Sequence, residues 1–342
     1  MDTKKMKNID WGSLGFGYYK TNYNVRAIYK DGKWGELTVT DSEHINIHMS
    51  AASLHYGSQI FEGLKALTGI DGKIRLFRPD ESAKRFQHSA RSLCMAEVPT
   101  EMFLEAVRKV IEINREYVPP YGTGATFYIR PMLLAYDSNL SISAAKEFLF
   151  CVFACPVGSY VKSGVKPIDV VIDIDHDRAA PRGMGSTKCG GNYAASISSL
   201  SRAKEQGFAN VLYLDATERK YVEEFGAANF FAIKDGKYIT PKSDSILKSI
   251  TNKSISTLAE EIGLTVERRN IPVEELETFE ECGACGTAMV ITPVRSIYEY
   301  HSQKRIEYSE DGGENIHKLY NMLQDIQFGR AEDKYNWCQI IE

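Results

Sequence analysis

The dipeptide Asp-Gly occurs at Asp31-Gly32, Asp71-Gly72 and Asp235-Gly236, each time between short runs rich in apolar residues. It is the strongest short-range signal for a β-hairpin, because the favoured two-residue turn needs left-handed backbone that Asp and Gly tolerate. Antiparallel sheet is therefore expected in both halves of the chain. The first turn joins residues 25–29 to 35–39, the second 65–67 to 74–77, and the third 229–233 to 237–240. Further strands are expected at 125–131, 147–153, 168–174, 210–214 and 221–223.

Helices punctuate the strands. Pro79-Asp80-Glu81-Ser82 carries start signals for a helix that continues through Arg85, Phe86, Ser89 and Leu93. A second helix begins near Thr100, with Met102, Phe103, Val107, Val110 and Ile111 as a core stripe. A third opens after Ser249-Ile250-Thr251, places Ile255, Leu258, Ala259 and Ile262 on one face, and stops at Gly263. Gly158 and Gly164 stand between Pro156 and Pro167, a linker composition. With 342 residues, two domains are expected: an α+β unit at 1–157, a linker at 158–166, and a second domain at 167–342. The sequence contains no internal repeat.

A net charge of −4 and 25% charged residues describe an ordinary globular protein with no polyanion-binding signature, so no nucleic-acid partner is expected. Apolar runs such as 148–156 are too short to cross a bilayer, and the first residues lack the apolar stretch of a signal peptide. The expectation is a cytoplasmic protein without membrane contact. Seven cysteines, odd in number and thinly spread, form no disulfide framework. Cys151 and Cys155 lie in an apolar run as small hydrophobes. Cys282-Gly283-Ala284-Cys285 is a C-x-x-C, open to a redox reading, but no second pair stands at zinc spacing and no metal is expected.

Chemistry enters at Ser186-Thr187-Lys188-Cys189-Gly190-Gly191-Asn192-Tyr193, where a lysine precedes a glycine pair and a helical run over 194–206. A lone lysine there is most often solvated. Held close to a ligand, it can form a Schiff base with a carbonyl compound. Pyridoxal phosphate would need partners for its phosphate, ring nitrogen and phenolic oxygen besides. Ile250 and Thr251 at a helix start offer amides to an anion, as does a plain cap. Gly286-Thr287 adds an amide and a hydroxyl, and Arg85 a fork of donors, although a helix-surface arginine is usually solvated. Glu224 before Gly226-Ala227-Ala228 suits a ring nitrogen, and Tyr193 a phenolic oxygen.

Together these segments resemble the class IV pyridoxal-phosphate aminotransferases, and within them the branched-chain amino acid aminotransferases. Lys188 to Tyr193 reads Lys-x-Gly-Gly-Asn-Tyr, and residues 224–230 read Glu-x-Gly-x-x-Asn-Phe. Ile250-Thr251, Gly286-Thr287-Ala288, Leu54-His55-Tyr56, Phe61-Glu62-Gly63-Leu64-Lys65, Tyr128-Ile129-Arg130-Pro131, Ile291-Thr292-Pro293-Val294 and Asp325-Ile326-Gln327-Phe328-Gly329-Arg330 follow in the family's order. The resemblance covers the chain from about residue 20 to its end.

It implies an α+β fold-type IV enzyme: a smaller N-terminal α/β domain, a larger C-terminal domain with a mixed, barrel-like sheet, and pyridoxal 5'-phosphate between them. Lys188 would hold the cofactor and shuttle the proton, with Glu224 on the pyridine nitrogen and Tyr193 on the phenolic oxygen. Arg85, Ile250, Thr251 and Thr287 would hold the phosphate. Substrate carboxylate would meet the Thr287-Ala288 turn and Tyr128, and apolar side chains a pocket with Tyr56 and Phe61. Arg130 takes the place of an arginine associated with dicarboxylate substrate, and a structural ion pair is the other reading. In some relatives redox thiols follow the Gly-Thr-Ala turn, at places held here by Met289 and Thr292, so the resemblance carries no redox control over to Cys282 and Cys285. The implied reaction moves the amino group of leucine, isoleucine or valine to 2-oxoglutarate, in a homodimer serving branched-chain amino acid biosynthesis. A D-amino acid aminotransferase, an aminodeoxychorismate lyase and a non-catalytic binding protein share the fold as alternatives.

Overall fold

A computed structural model describes residues 8–158 and 165–342 of the chain. The expected linker at 158–166 lies almost wholly outside the described residues, as does the start of the chain. Contacts divide the chain into two units, one holding Met1–Lys162, Thr187–Gly190 and Asp325–Glu342, the other Ser163–Ser186 and Gly191–Gln324. The first unit thus includes two segments that sequence order alone assigns to the second.

In the first unit the strands are β1 (Asn24–Lys30), β2 (Gln59–Phe61), β3 (Leu64–Thr68), β4 (Ile74–Phe77), β5 (Thr126–Ala135) and β6 (Phe148–Val157), with helices α1 (Pro79–Ser92) and α2 (Thr100–Ile113). The sheet runs β4-β3-β5-β6-β1 with every pairing antiparallel, and β2 adds to β5 beyond β3. The strand Cys338–Ile341 extends it along β4, which draws the C-terminal residues into this unit. The Asp31-Gly32 hairpin forms with both residues at positive φ, 52° and 79°. Its second arm is broken into Lys33–Trp34 and Thr38–Thr40, where the Gly35 amide turns to the Ile28 carbonyl. Helix α1 starts with proline and two acids in its first turn, which suit the free amides and the positive end of the dipole. Its Phe86 packs against Phe103 of α2 and Phe150 of β6, with ring centroids 5.3 and 5.8 Å away. Along β5, burial alternates: Phe127, Ile129, Pro131 and Leu133 face the core, while Tyr128 and Arg130 share the other face.

The second unit is built on β7 (Ile168–Ile172), β8 (Asn210–Leu214), β9 (Val222–Phe225), β10 (Ala228–Lys234), β11 (Lys237–Pro241), β12 (Thr265–Arg269), β13 (Glu281–Gly286) and β14 (Val290–Glu299). The order β9-β8-β7-β14-β13-β10 closes on itself through β9 and β10, giving a six-stranded barrel, and β11 and β12 continue outward from β10. Strand β7 lies parallel to β8 and β14, so the sheet is mixed. Val170, Leu212, Phe230, Ala232, Ala284 and Val294 fill its core. Strand β13 reads Glu-Cys-Gly-Ala-Cys-Gly, a poor strand sequence that only packing explains. A Cβ on Gly283 would stand 2.5 Å from the Phe231 ring, so the site takes nothing larger.

The glycine pair after Lys188 opens α3 (Gly190–Ala195), and α4 (Ile197–Glu205) follows. The single helix expected at 194–206 is divided at Ser196, whose hydroxyl donates to the Tyr193 carbonyl at 2.9 Å and competes with the helical ladder. Helix α5 (Ile250–Glu261) is capped by Ser249, whose hydroxyl accepts from the Asn252 amide at 3.1 Å. The cap is therefore the residue before the Ile-Thr pair, not Thr251. Among the described residues no helix is long and apolar enough to cross a membrane.

Candidate active site

Lys188 is held by its backbone. Its amide donates to the hydroxyl of buried Ser89 at 3.1 Å, and its carbonyl accepts from the Phe61 amide at 3.1 Å. An isolated antiparallel bridge joins Cys189 to Ile60 of β2. The side chain is half-buried, with Nζ 5.0 Å from the centroid of the Phe61 ring. Ser89 lies four residues after Arg85 on α1, so one helix face presents both. Arg85 is paired side-on with Glu62: Nε to Oε1 at 2.7 Å and Nη2 to Oε2 at 2.8 Å. Glu62 has no exposed surface, so this is a buried, bidentate ion pair and not the solvated helix arginine that sequence position alone would suggest. Residues 60–62 thus fix the lysine segment with their backbone and the arginine with a side chain.

Tyr128 and Arg130 continue this group. The guanidinium carbon of Arg130 stands 4.8 Å from the Phe61 ring centroid and 5.4 Å from that of Tyr128, and Nη2 lies 3.4 Å from the Tyr128 hydroxyl. Gly63 gives that hydroxyl its room, since a Cβ there would sit 2.1 Å from it. Among the described residues no carboxylate lies within ion-pair distance of Arg130, and its buried Nε has no hydrogen-bond partner. Tyr56 is different: it is 46% exposed, and its hydroxyl donates to the Leu140 carbonyl at 2.7 Å.

In the second unit Glu224 is buried at the end of β9. Its Oε1 accepts from the Leu247 amide at 2.9 Å and lies 2.9 Å from Nη2 of Arg178, and its Oε2 accepts from Asn229 Nδ2 at 2.7 Å. Glu224 and Asn229 are register partners in the β9–β10 hairpin, which is why the motif spaces them by five. Burial pushes the carboxyl up to about 7 against the opposing pull of Arg178 and the two hydrogen bonds. Ile250 and Thr251 are the first two residues of α5, beside the Ser249 cap. Thr287 and Ala288 form the turn between β13 and β14, and the next strand begins with Val290 at φ 60°, left-handed backbone that a β-branched residue rarely adopts. Tyr193 lies on α3.

These features fit pyridoxal phosphate. The first unit offers a half-buried lysine and an oriented arginine, and the second a capped helix start and a buried carboxylate with acceptor capacity remaining on Oε2, each of a kind that pyridoxal phosphate uses.

The thiols do not fit a redox pair. Cys282 and Cys285 are three residues apart on β13, so they face opposite sides, with Cα atoms about 10 Å apart at strand rise, beyond disulfide reach. Both are buried, which pushes both thiols up. Among the described residues no cluster of His, Cys, Asp or Glu could hold a metal ion.

The family profile described as amino-transferase class IV matches residues 59–297. The chain belongs to the class IV aminotransferases, in the branched-chain-amino-acid aminotransferase group. It is 46% identical to the branched-chain-amino-acid aminotransferase of Haemophilus influenzae, over 98% of this chain and all of that one. The Helicobacter pylori protein of the same name is 44% identical, over 97% of this chain and 98% of its own. Among solved structures, the Escherichia coli branched-chain amino acid aminotransferase superposes with a TM-score of 0.80 at 27% identity, over 94% of this chain and 100% of that one. The pyridoxal-phosphate form of the Thermobaculum terrenum enzyme gives 0.79 at 21% identity, over 95% and 100%, a likeness of fold alone. The aminotransferase is thus a fold-type IV enzyme that uses pyridoxal phosphate.

Three residues that bear on the site escaped sequence reasoning as candidates: Glu62, Ser89 and Arg178. Ser89 carried a signal, being four residues from Arg85 on a helix. Arg178 lies in the segment after β7 and carried none.

Proposed function

We propose that this aminotransferase carries the amino group of leucine, isoleucine or valine to 2-oxoglutarate, giving the branched-chain 2-oxo acid and glutamate. The observation that carries this reading is Arg130: a cation with an unpartnered buried Nε, stacked on the same Phe61 ring that Lys188 approaches. Such a group suits a substrate that is apolar in one half-reaction and carries a second carboxylate in the other. When bound, pyridoxal phosphate supplies an electron sink for charge at the substrate α-carbon. In this reading Lys188 holds the cofactor and then moves the proton at that carbon as base and acid. Arg85, Ile250, Thr251 and Thr287 take the phosphate, Tyr193 the phenolic oxygen and Glu224 the ring nitrogen. Tyr56, Phe61, Tyr128 and Arg130 line the substrate site, and the Thr287-Ala288 turn receives the α-carboxylate.

The functional form in this proposal is a homodimer in the cytoplasm. Exposed Met49, Leu54, Tyr56, Leu140 and Ile142 support the dimer: Tyr56 and Leu140 are joined by a hydrogen bond, and the amide of neighbouring Asn139 bonds the carbonyl of Ser50. That gathers an apolar surface suited to a second copy of the chain. Its mass in solution by light scattering is the test, and a monomer at working concentration would dismiss it.

Arg130→Met should raise KM for 2-oxoglutarate about tenfold or more while leaving KM for L-leucine within about twofold, the usual cost of losing one charge-assisted contact. Equal effects on both would remove the role assigned to Arg130. In absorption spectra the holoenzyme should respond to L-leucine and not to D-alanine. The reverse would favour a D-amino acid aminotransferase, aminobenzoate formed from aminodeoxychorismate would favour the lyase, and colourless protein after added cofactor a binding protein.

A further inference from the structure

Among the described residues of the second unit, Arg178 is the one arginine or lysine that is buried, and none of the roles given so far falls to it. It is 5% exposed, its Nη2 lies 2.9 Å from Glu224 Oε1 and donates to the Gly185 carbonyl at 3.1 Å and to the Ser245 carbonyl, and its buried Nε has no partner. Glu224 is 3% exposed. Two full charges at such depth persist only when each compensates the other. The other titratable groups bearing on Glu224 are Glu223, whose carboxylate accepts from the Ser243 hydroxyl at 2.6 Å, and Cys285 on β13. Neither is a cation, so Arg178 alone among them favours the ionised form of Glu224.

The location of one proton follows from this. A carboxyl group facing a pyridine nitrogen shares a proton with it, as carboxylate and pyridinium or as carboxylic acid and neutral pyridine. Burial favours the neutral arrangement, and a guanidinium on the far carboxylate oxygen favours the ionic one. The contacts sort the two oxygens accordingly: Oε1 faces Arg178 in an ion pair and accepts from the Leu247 amide, and Oε2 accepts from Asn229 with acceptor capacity to spare.

We propose that Arg178 is a positioning residue for transamination: it keeps Glu224 anionic, and the shared proton therefore resides on the ring nitrogen, where it strengthens electron withdrawal. The Ser245–Leu247 segment takes part, since its Ser245 carbonyl holds the guanidinium and its Leu247 amide holds the carboxylate. The proposal rests on the reading of Glu224 as the partner of the ring nitrogen.

The test is nitrogen NMR of holoenzyme loaded with pyridoxal phosphate labelled with ¹⁵N in the ring, at one neutral pH. The wild type should give a pyridinium resonance. Arg178→Met should move it most of the way to neutral pyridine, and Arg178→Gln, which keeps a donor for the Gly185 and Ser245 carbonyls without the charge, should do the same. Arg178→Lys should restore most of the pyridinium signal, and kcat should fall in the two neutral variants with little change in KM for L-leucine. A folded, cofactor-binding Met or Gln variant that keeps the pyridinium resonance overturns the proposal, as does a folded Lys variant that behaves like Met. Glu224→Gln separates the two levels: if it leaves the resonance in place, the assignment of Glu224 has failed, whatever Arg178 does.

Discussion

At the scale of single residues the candidate site is a set of charges held by other charges. Arg85 was legible because a known family motif places an arginine there; what fixes its direction was not, since Glu62 lies 23 residues earlier and meets it only through the fold. The pair uses Nε and Nη2, so Glu62 fixes the plane and direction of the guanidinium. Glu62→Gln removes the charge while nearly keeping the shape, and takes away the carboxylate that faces a mostly buried guanidinium. Loss of one member of such a pair costs on the order of 3 kcal/mol. We expect lower thermal stability and a cofactor dissociation constant raised about tenfold or more, read by titrating pyridoxal phosphate into apoprotein. Unchanged affinity in a folded variant would mean that Glu62 does not orient Arg85. Arg178 was illegible for a similar reason: the segment after β7 has no periodicity, and its distance from Glu224 is a property of barrel closure.

At the scale of elements, local signals worked where they were sufficient. The three Asp-Gly turns and the starts of α1 and α2 are visible because turn chemistry and apolar spacing are local. Strands β12, β13 and β14 and the helix Glu314–Gln327 were not anticipated. Strand β13 in particular has a Gly-Cys-Ala composition that reads as loop until the neighbouring Phe231 ring explains its small residues. The start of α5 shows how one position separates two roles. Ser249 satisfies the Asn252 amide, so the earlier amides of Ile250 and Thr251 are not spent on the cap. Ser249→Ala should cost about 1 kcal/mol of stability, the ordinary value of an N-cap, measured as a lower urea midpoint with unchanged m-value. It should also weaken phosphate binding a few-fold, because a fraying first turn no longer fixes those amides. A stability unchanged within error would show that tertiary packing, not the cap, holds this end of α5.

At the scale of the whole molecule, the carboxylates divide into two groups with opposite pH consequences. Asp71, Asp169, Asp173 and Asp215 are held below the ordinary aspartate value by arginine, hydroxyl or backbone partners. Their contribution is complete above that value and is lost only as pH falls through their lowered values. Glu224 is the reverse: folding raises it from the ordinary glutamate value to about 7, chiefly by burial. Between those two values the folded apoprotein keeps a proton that the unfolded chain has released, so stability falls as pH rises across that window and levels off above it. A shift of this size corresponds to about 3 kcal/mol across the window. Glu224→Gln carries no such titration, so the difference in unfolding free energy between wild type and variant, measured by urea at several pH values, should shrink or reverse by roughly that amount as pH rises from about 5 to about 8. Adding pyridoxal phosphate to the wild type should flatten the slope, because a protonated ring then compensates the buried carboxylate. A difference that stays constant with pH would mean that Glu224 is already ionised in the apoprotein, with Arg178 outweighing burial before any cofactor arrives.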